Sequence, residues 1–198
     1  MQPLRCFIAI KLPESTCEAL AEAGELVARQ LPLGTVRWMT PASIHLTLRF
    51  LGDTDPAALP KIGESLDRIA PQFGQFELQL GKLGCFPNDR KPRVIWIGVD
   101  GDVCRLEKLQ RAVEEGLEPL GWLPEGRRFH PHLTIGRVNN SRQIVEAHLP
   151  WGKHFRTDSF TVAEISLIES DLRPTGAIYT TRRESYLAQP AGFGSAVG

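Results

Sequence analysis

Two short stretches of the chain hold matched residue types that could do chemistry. His45-Leu46-Thr47-Leu48 recurs 87 positions later as His132-Leu133-Thr134-Ile135, and the pair uses two of only five histidines. Polar and aliphatic side chains alternate in each copy, which is the period of a β-strand. His45 and Thr47 therefore share one face, as do His132 and Thr134, while Leu46, Leu48, Leu133 and Ile135 turn to the core. A lone strand histidine is often a satisfied structural residue. A duplicated H-x-T-x argues instead for two strands facing one groove across a pseudo-two-fold axis. Imidazole titrates near pH 6.5, so one ring can take a proton while the other supplies one. Hydroxyls two residues on can donate to the oxygens of a phosphate held between the rings. The pattern suits hydrolysis at a phosphoryl or acyl centre by paired general acid and base.

Cationic and aromatic residues flank both copies. Strand parity puts Arg49 on the face of His45, and Arg128 and His130 on the face of His132. Arg137 falls on the opposite parity unless a bulge at Gly136 resets it, a role glycine often has in strands. Trp38, Phe7 and Phe50 are candidates for a wall on which a base could stack.

The remaining pattern supplies elements to position these groups. Arg5–Lys11 reads as a buried strand, and the spacing of Cys17, Leu20, Gly24, Val27 and Leu31 predicts a helix opened by Pro13 and Glu14. Strands are expected over 37–39 and 44–51, and a helix after Pro56 with Leu59, Ile62, Leu66 and Ile69 inward. Phe76, Leu78 and Leu80 alternate again, and 94–99 reads as a continuous buried strand after the polar loop 86–93. The second half follows a similar order: a helix from about Val103 to Leu117, a Pro- and Gly-rich loop over 118–128, a strand over 132–138, and a short helix near 141–149. Strand-like runs over 160–168 and 177–187 follow, joined by a turn containing Pro174 and Gly176. This rhythm predicts an α+β fold. No linker divides the halves, so residues 1–188 are expected to form one bilobal domain, with 189–198 as a flexible tail.

Composition narrows the function classes. The 198 residues carry 23 Lys and Arg against 23 Asp and Glu, so the formal charge is zero. Binding long nucleic acid by counterion release rewards a basic face, which a globally neutral chain lacks. A local pocket for one phosphate remains compatible with that balance. Cys6, Cys17, Cys85 and Cys104 form no C-x-x-C pair, so they are expected to be buried free thiols in a reducing compartment, the cytoplasm. The apolar run near the start, Cys6–Ile10, is too short to span a bilayer. With no exposed heptad pattern, the expectation is a monomer.

With these residues in view the chain resembles the 2H phosphoesterase superfamily, and within it the RNA 2′,3′-cyclic phosphodiesterases once called 2′-5′ RNA ligases. The resemblance runs over residues 4–187. It includes RCFIAIKLP, IHLTLRFLG, FHPHLTIGRV, and the closing runs ISLIESDL and IYTTRRESYLA. It implies a bilobal, internally duplicated α+β fold, with two antiparallel-rich sheets flanking a central groove and helices outside, and hydrolysis of a terminal 2′,3′-cyclic phosphate to a 2′-phosphate. It further implies reversible 2′–5′ joining of RNA ends without a cofactor or metal. His45 would then be proton donor and His132 proton acceptor, with Thr47, Thr134 and Arg137 on the phosphate. Arg49, Arg128, His130, Trp38 and Phe7 are further candidate substrate contacts. The partners would be RNA ends or small cyclic-phosphate nucleotides, with no membrane involved. Two alternatives compete. One is a metal-dependent phosphoesterase using His130-x-His132 with His45, a real ligand spacing that lacks an adjacent carboxylate. The other is a non-catalytic module that binds nucleotides or RNA ends.

Overall fold

The structure, a computed structural model, describes residues 2–155, 157–173 and 176–189. Pro174 of the expected last turn, and all of the expected tail except Gln189, lie outside the described residues. In chain order the elements are β1 (Leu4–Lys11), α1 (Glu14–Ala28), β2 (Val36–Trp38), β3 (His45–Thr54), α2 (Leu59–Ile69), β4 (Phe76–Phe86) and β5 (Val94–Gly101). Then come α3 (Val103–Leu117), β6 (His132–Val138), α4 (Ser141–Glu146), β7 (Phe160–Val162), β8 (Glu164–Arg173) and β9 (Gly176–Tyr186).

Local chemistry sets several boundaries. Asp102 caps α3 by accepting from Arg105 N–H at 3.0 Å, and Asn140 caps α4 through Gln143 N–H at 3.4 Å. Such caps satisfy amide donors that a first helical turn leaves unpaired. Helix α1 stops at Ala28, so Leu31 lies beyond it and only packs against the core. The run expected as one strand over 160–168 is two strands. It breaks at Ala163, where the chain passes from β7, paired with β4, to β8, paired with β1.

The strands run β7-β4-β5-β6-β3-β1-β8-β9, with β2 beside β6, and neighbours are antiparallel. Where two sheets were expected, the strands form one curled nine-stranded sheet, because β3 and β6 join at its middle through one residue pair, Leu46 with Leu133. Strands β3, β1, β8 and β9 form one side, and β6, β5, β4 and β7 the other. The sequence halves interleave across that seam. Helix α1 packs on β6 and α3 packs on β3, while β8 and β9 return from the C-terminal end to complete the first side. A single large core follows. It includes Leu46, Ile62, Leu66, Ile97, Leu106, Leu109 and Leu133, all inaccessible to solvent. A smaller cluster of Phe7, Ala9 and Ile168, with Tyr179 against it, lies on the opposite face of β1.

All four cysteines are free, but only Cys6 is buried; Cys17 and Cys85 are half-buried and Cys104 is exposed. Among the described residues no helix is long and apolar enough to cross a membrane.

Candidate active site

Strands β3 and β6 present their H-x-T-x segments as alternation requires. His45, Thr47, His132 and Thr134 are half-buried, while Leu46, Leu48, Leu133 and Ile135 are at most 3% exposed. Both strands then bulge at the same motif position. In the β1–β3 ladder Ala9 pairs with Thr47 and Ile8 with Arg49, so Leu48 is the extra residue. In the β5–β6 ladder Trp96 pairs with Thr134 and Ile95 with Gly136, so Ile135 is the extra residue. An extra residue inverts the parity of everything after it. The residue five places after each histidine is thereby brought to the groove: Phe50 on one strand and Arg137 on the other.

The first bulge removes Arg49 from the candidate substrate contacts. Arg49 turns inward and is 8% exposed. Its Nη1 donates to Glu114 Oε1 at 2.9 Å and lies 3.4 Å from Glu125, and Nη2 donates to the Leu123 carbonyl. It fastens the 118–131 loop to α3 from beneath. Trp38 is also absent from the groove. It pairs with Gly136 on β6 and packs against Gly24 of α1, because those glycines leave room for an indole.

A cavity of about 660 Å³ lies between the two motif strands, within the usual size of a small-molecule site. Both motif histidines and threonines border it, together with Phe7, Phe50, Arg128, His130 and Arg137 from the sequence candidates. Arg5, Phe86, Arg127, Phe129 and Tyr179 complete much of the wall and were not signalled by the sequence pattern. Tyr179 comes from β9, 134 residues after His45, and no motif marks it.

Each catalytic candidate is oriented by the carbonyl two residues before it. His45 Nδ1 lies 3.0 Å from the Ser43 carbonyl, and His132 Nδ1 lies 2.7 Å from the His130 carbonyl. A carbonyl only accepts, so the neutral rings carry their proton on Nδ1 and keep the Nε2 lone pair free. The environments of the two rings differ. His45 stacks on Phe7 at 4.4 Å and meets Tyr179 edge-on at 5.2 Å. His132 sits edge-on to Phe86 at 4.9 Å. Burial pushes His45 down from 6.5 to about 4, and His132 adds to the effect. Burial also lowers His132, joined by the charges of His130 and Arg127. Both imidazoles are therefore neutral at pH 7 before a substrate binds. Among the described residues no three His, Cys, Asp or Glu side chains are grouped to hold a metal, so His130-x-His132 finds no third donor.

Residues 19–174 match the family model described as the 2′-5′ RNA ligase superfamily. The chain belongs to the 2′-5′ RNA ligase superfamily. Among superfamily relatives, an Aeropyrum pernix protein named RNA 2′,3′-cyclic phosphodiesterase is 35% identical over 157 residues, covering 78% of this chain and 86% of that protein. A solved structure from Thermus thermophilus, 29% identical, superposes with a TM-score of 0.77 over 94% of this chain and 100% of the other. Escherichia coli LigT complexed with 3′-AMP gives a TM-score of 0.76 at 26% identity, over 94% and 99% of the two chains. The 2H phosphoesterase architecture that the resemblance implied is thus the architecture of this superfamily member, built on one curled sheet.

Proposed function

We propose that the chain hydrolyses the terminal 2′,3′-cyclic phosphate of RNA to a 2′-phosphate, using two imidazoles for proton transfer. The observation that carries this reading is the matched geometry of β3 and β6. Two H-x-T-x segments, each bulged at its fourth residue, bring both histidines, both threonines and Arg137 to one groove. The names borne by relatives at 29–35% identity, RNA 2′,3′-cyclic phosphodiesterase, agree with it. The 3′-AMP complex of LigT supports a nucleotide in the same groove here.

In this reading Thr47, Thr134 and Arg137 hold the non-bridging phosphate oxygens. His132 Nε2 takes a proton from the attacking water, and His45 supplies one to O3′ as the P–O3′ bond breaks. Burial depresses both rings, and an anionic phosphate held between them relieves that penalty for either one. The order, with His45 as donor and His132 as acceptor, is the one the family resemblance implies. Residues 1–188 would act as one unit, in a monomer, and the free thiols suit the cytoplasm.

The test is product analysis with a short RNA ending in a 2′,3′-cyclic phosphate, followed by a phosphatase specific for 3′-monoesters. The expected product resists that phosphatase. Phosphate release at that step would show that the donor faces O2′ and would reverse the two histidine roles.

A further inference from the structure

We propose that Arg127 and Arg128 form a subsite for the phosphates of a second RNA strand, the one whose 5′-hydroxyl enters or leaves on the His132 side of the groove. The inference rests on the proposed function, which puts the nucleophile beside His132 and the nucleoside carrying the cyclic phosphate beside His45.

The two ends of the groove differ in character. Around His45 the neighbours are the rings of Phe7 and Tyr179, while Arg5, at the other end of the β1–β3 ladder, lies over the Phe50 ring at 5.3 Å. Around His132 and His130 the groove carries the charges of Arg127 and Arg128, with Glu114 and Glu125 also on its border, whereas the charge of Arg137 reaches Tyr179. Arg127 and Arg128 are 83% and 90% exposed, and each meets a carboxylate through only one nitrogen. Arg127 Nε lies 2.7 Å from Glu125, and Arg128 Nη2 lies 3.9 Å from Glu107. A guanidinium has five N–H donors, so most of each fork stays free for an anion.

Their loop is built in place. The buried Arg49 binds the Leu123 carbonyl and the Glu125 carboxylate, and Glu125 N–H donates to Glu114 at 3.1 Å. The segment carrying Arg127 and Arg128 is thereby anchored to α3 from its core side.

Hydrolysis of one cyclic phosphate involves one negative charge, for which Arg137 and two threonines suffice. Two further cations at the nucleophile end fit an attacking group that carries phosphates of its own. In the joining direction the 5′-hydroxyl oxygen of a second strand bonds to phosphorus and gives its proton to His132. The P–O3′ bond breaks, and O3′ takes a proton from His45. The product is a 2′–5′ phosphodiester with a free 3′-hydroxyl, and cleavage is the same path reversed. The next phosphates of that second strand would lie along Arg127 and Arg128.

The experiment compares wild type with R127Q/R128Q on 2′–5′-linked substrates whose leaving strand is a nucleoside or a trinucleotide. The readout is the ratio of kcat/KM values within each enzyme, so a general loss of activity cancels. Wild type should favour the longer leaving strand about tenfold at 50 mM salt, with the preference fading toward 200 mM as phosphate contacts are screened. In the variant the ratio should fall to about one. A second arm lengthens a cyclic-phosphate substrate on its 5′ side. A variant defect confined to that arm would assign the arginines to the other strand and overturn the proposal. Fluorescence anisotropy of a 5′-hydroxyl tetranucleotide reads the subsite without catalysis, and equal binding by both proteins would also overturn it. A wild type that binds the tetranucleotide through these arginines yet hydrolyses no cyclic phosphate would refute the proposed function and leave the subsite standing.

Discussion

Replacing His45 with phenylalanine should flatten the dependence of folding stability on acid. In the native groove the imidazole lies against Phe7 and Tyr179, and burial pushes its pKa down to about 4, against 6.5 ordinarily. A depressed histidine makes the native state bind fewer protons than the unfolded chain. Its contribution is therefore fully present above pH 6.5 and is lost as pH falls toward 4. Integrated over that window the loss is about 3 kcal/mol, of which about 2 kcal/mol has gone by pH 5. Phenylalanine keeps the stacking area and removes the titration. Urea unfolding at pH 7 and pH 5, for wild type and H45F, gives a double difference in which the other titrating groups largely cancel. Wild type should lose about 2 kcal/mol more than the variant over that range. Parallel losses within about 0.5 kcal/mol would mean that His45 is solvated in the groove. The argument from burial would then fail.

Other outcomes follow from the same geometry. His132→Ala should lower kcat for a 2′,3′-cyclic phosphate by about 10²–10⁴, and near wild-type turnover would remove its role as base. Arg49→Met should destabilise the fold by about 3 kcal/mol in urea unfolding, since Glu114 loses its buried partner. An R49M protein of unchanged stability but abolished turnover would return Arg49 to the substrate contacts. Gly136→Ala would place a Cβ 2.6 Å from Val36 Cγ1, so overpacking should lower stability by about 1–3 kcal/mol. A G136A melting temperature equal to wild type would contradict that close approach. Hydrolysis should survive prolonged dialysis against EDTA, and activity lost there but restored by zinc or manganese would revive the metal reading.

Much of this was legible in the residues, and the failures have definite causes. The four motif residues were legible because alternation along β3 and β6 holds through Thr47 and Thr134. Parity then misleads at Arg49, because a bulge leaves no mark in the local sequence when its extra residue is an ordinary Leu48. The same device was foreseeable at Arg137 only because Gly136 advertises an irregularity. Trp38 looks like a stacking surface in one dimension. Only the pairing of β2 with β6 shows that Gly136 and Gly24 receive it. Tyr179 and Arg127 arrive from β9 and from a loop, through contacts distant in sequence that periodicity cannot express. A comparison of the two copies would have helped: the residue five after each histidine has the same place in both strands, so Phe50 could have been inferred from Arg137.

The single pairing of Leu46 with Leu133 makes the junction of β3 and β6 the natural pivot of the sheet. His45 and His132 each sit one residue from that pivot, whereas Phe50 lies four residues along β3. At about 3.4 Å per residue, a turn of about 10° of one side against the other moves a neighbour of the pivot by about 0.6 Å and a residue at the distance of Phe50 by about 2 Å. Displacements near 1 Å can cost a reaction about 10²-fold, so this difference in lever arm is significant. Helices α1 and α3 pack on β6 and β3 beside that junction, so the same pairing that spaces the imidazoles is braced from the core side.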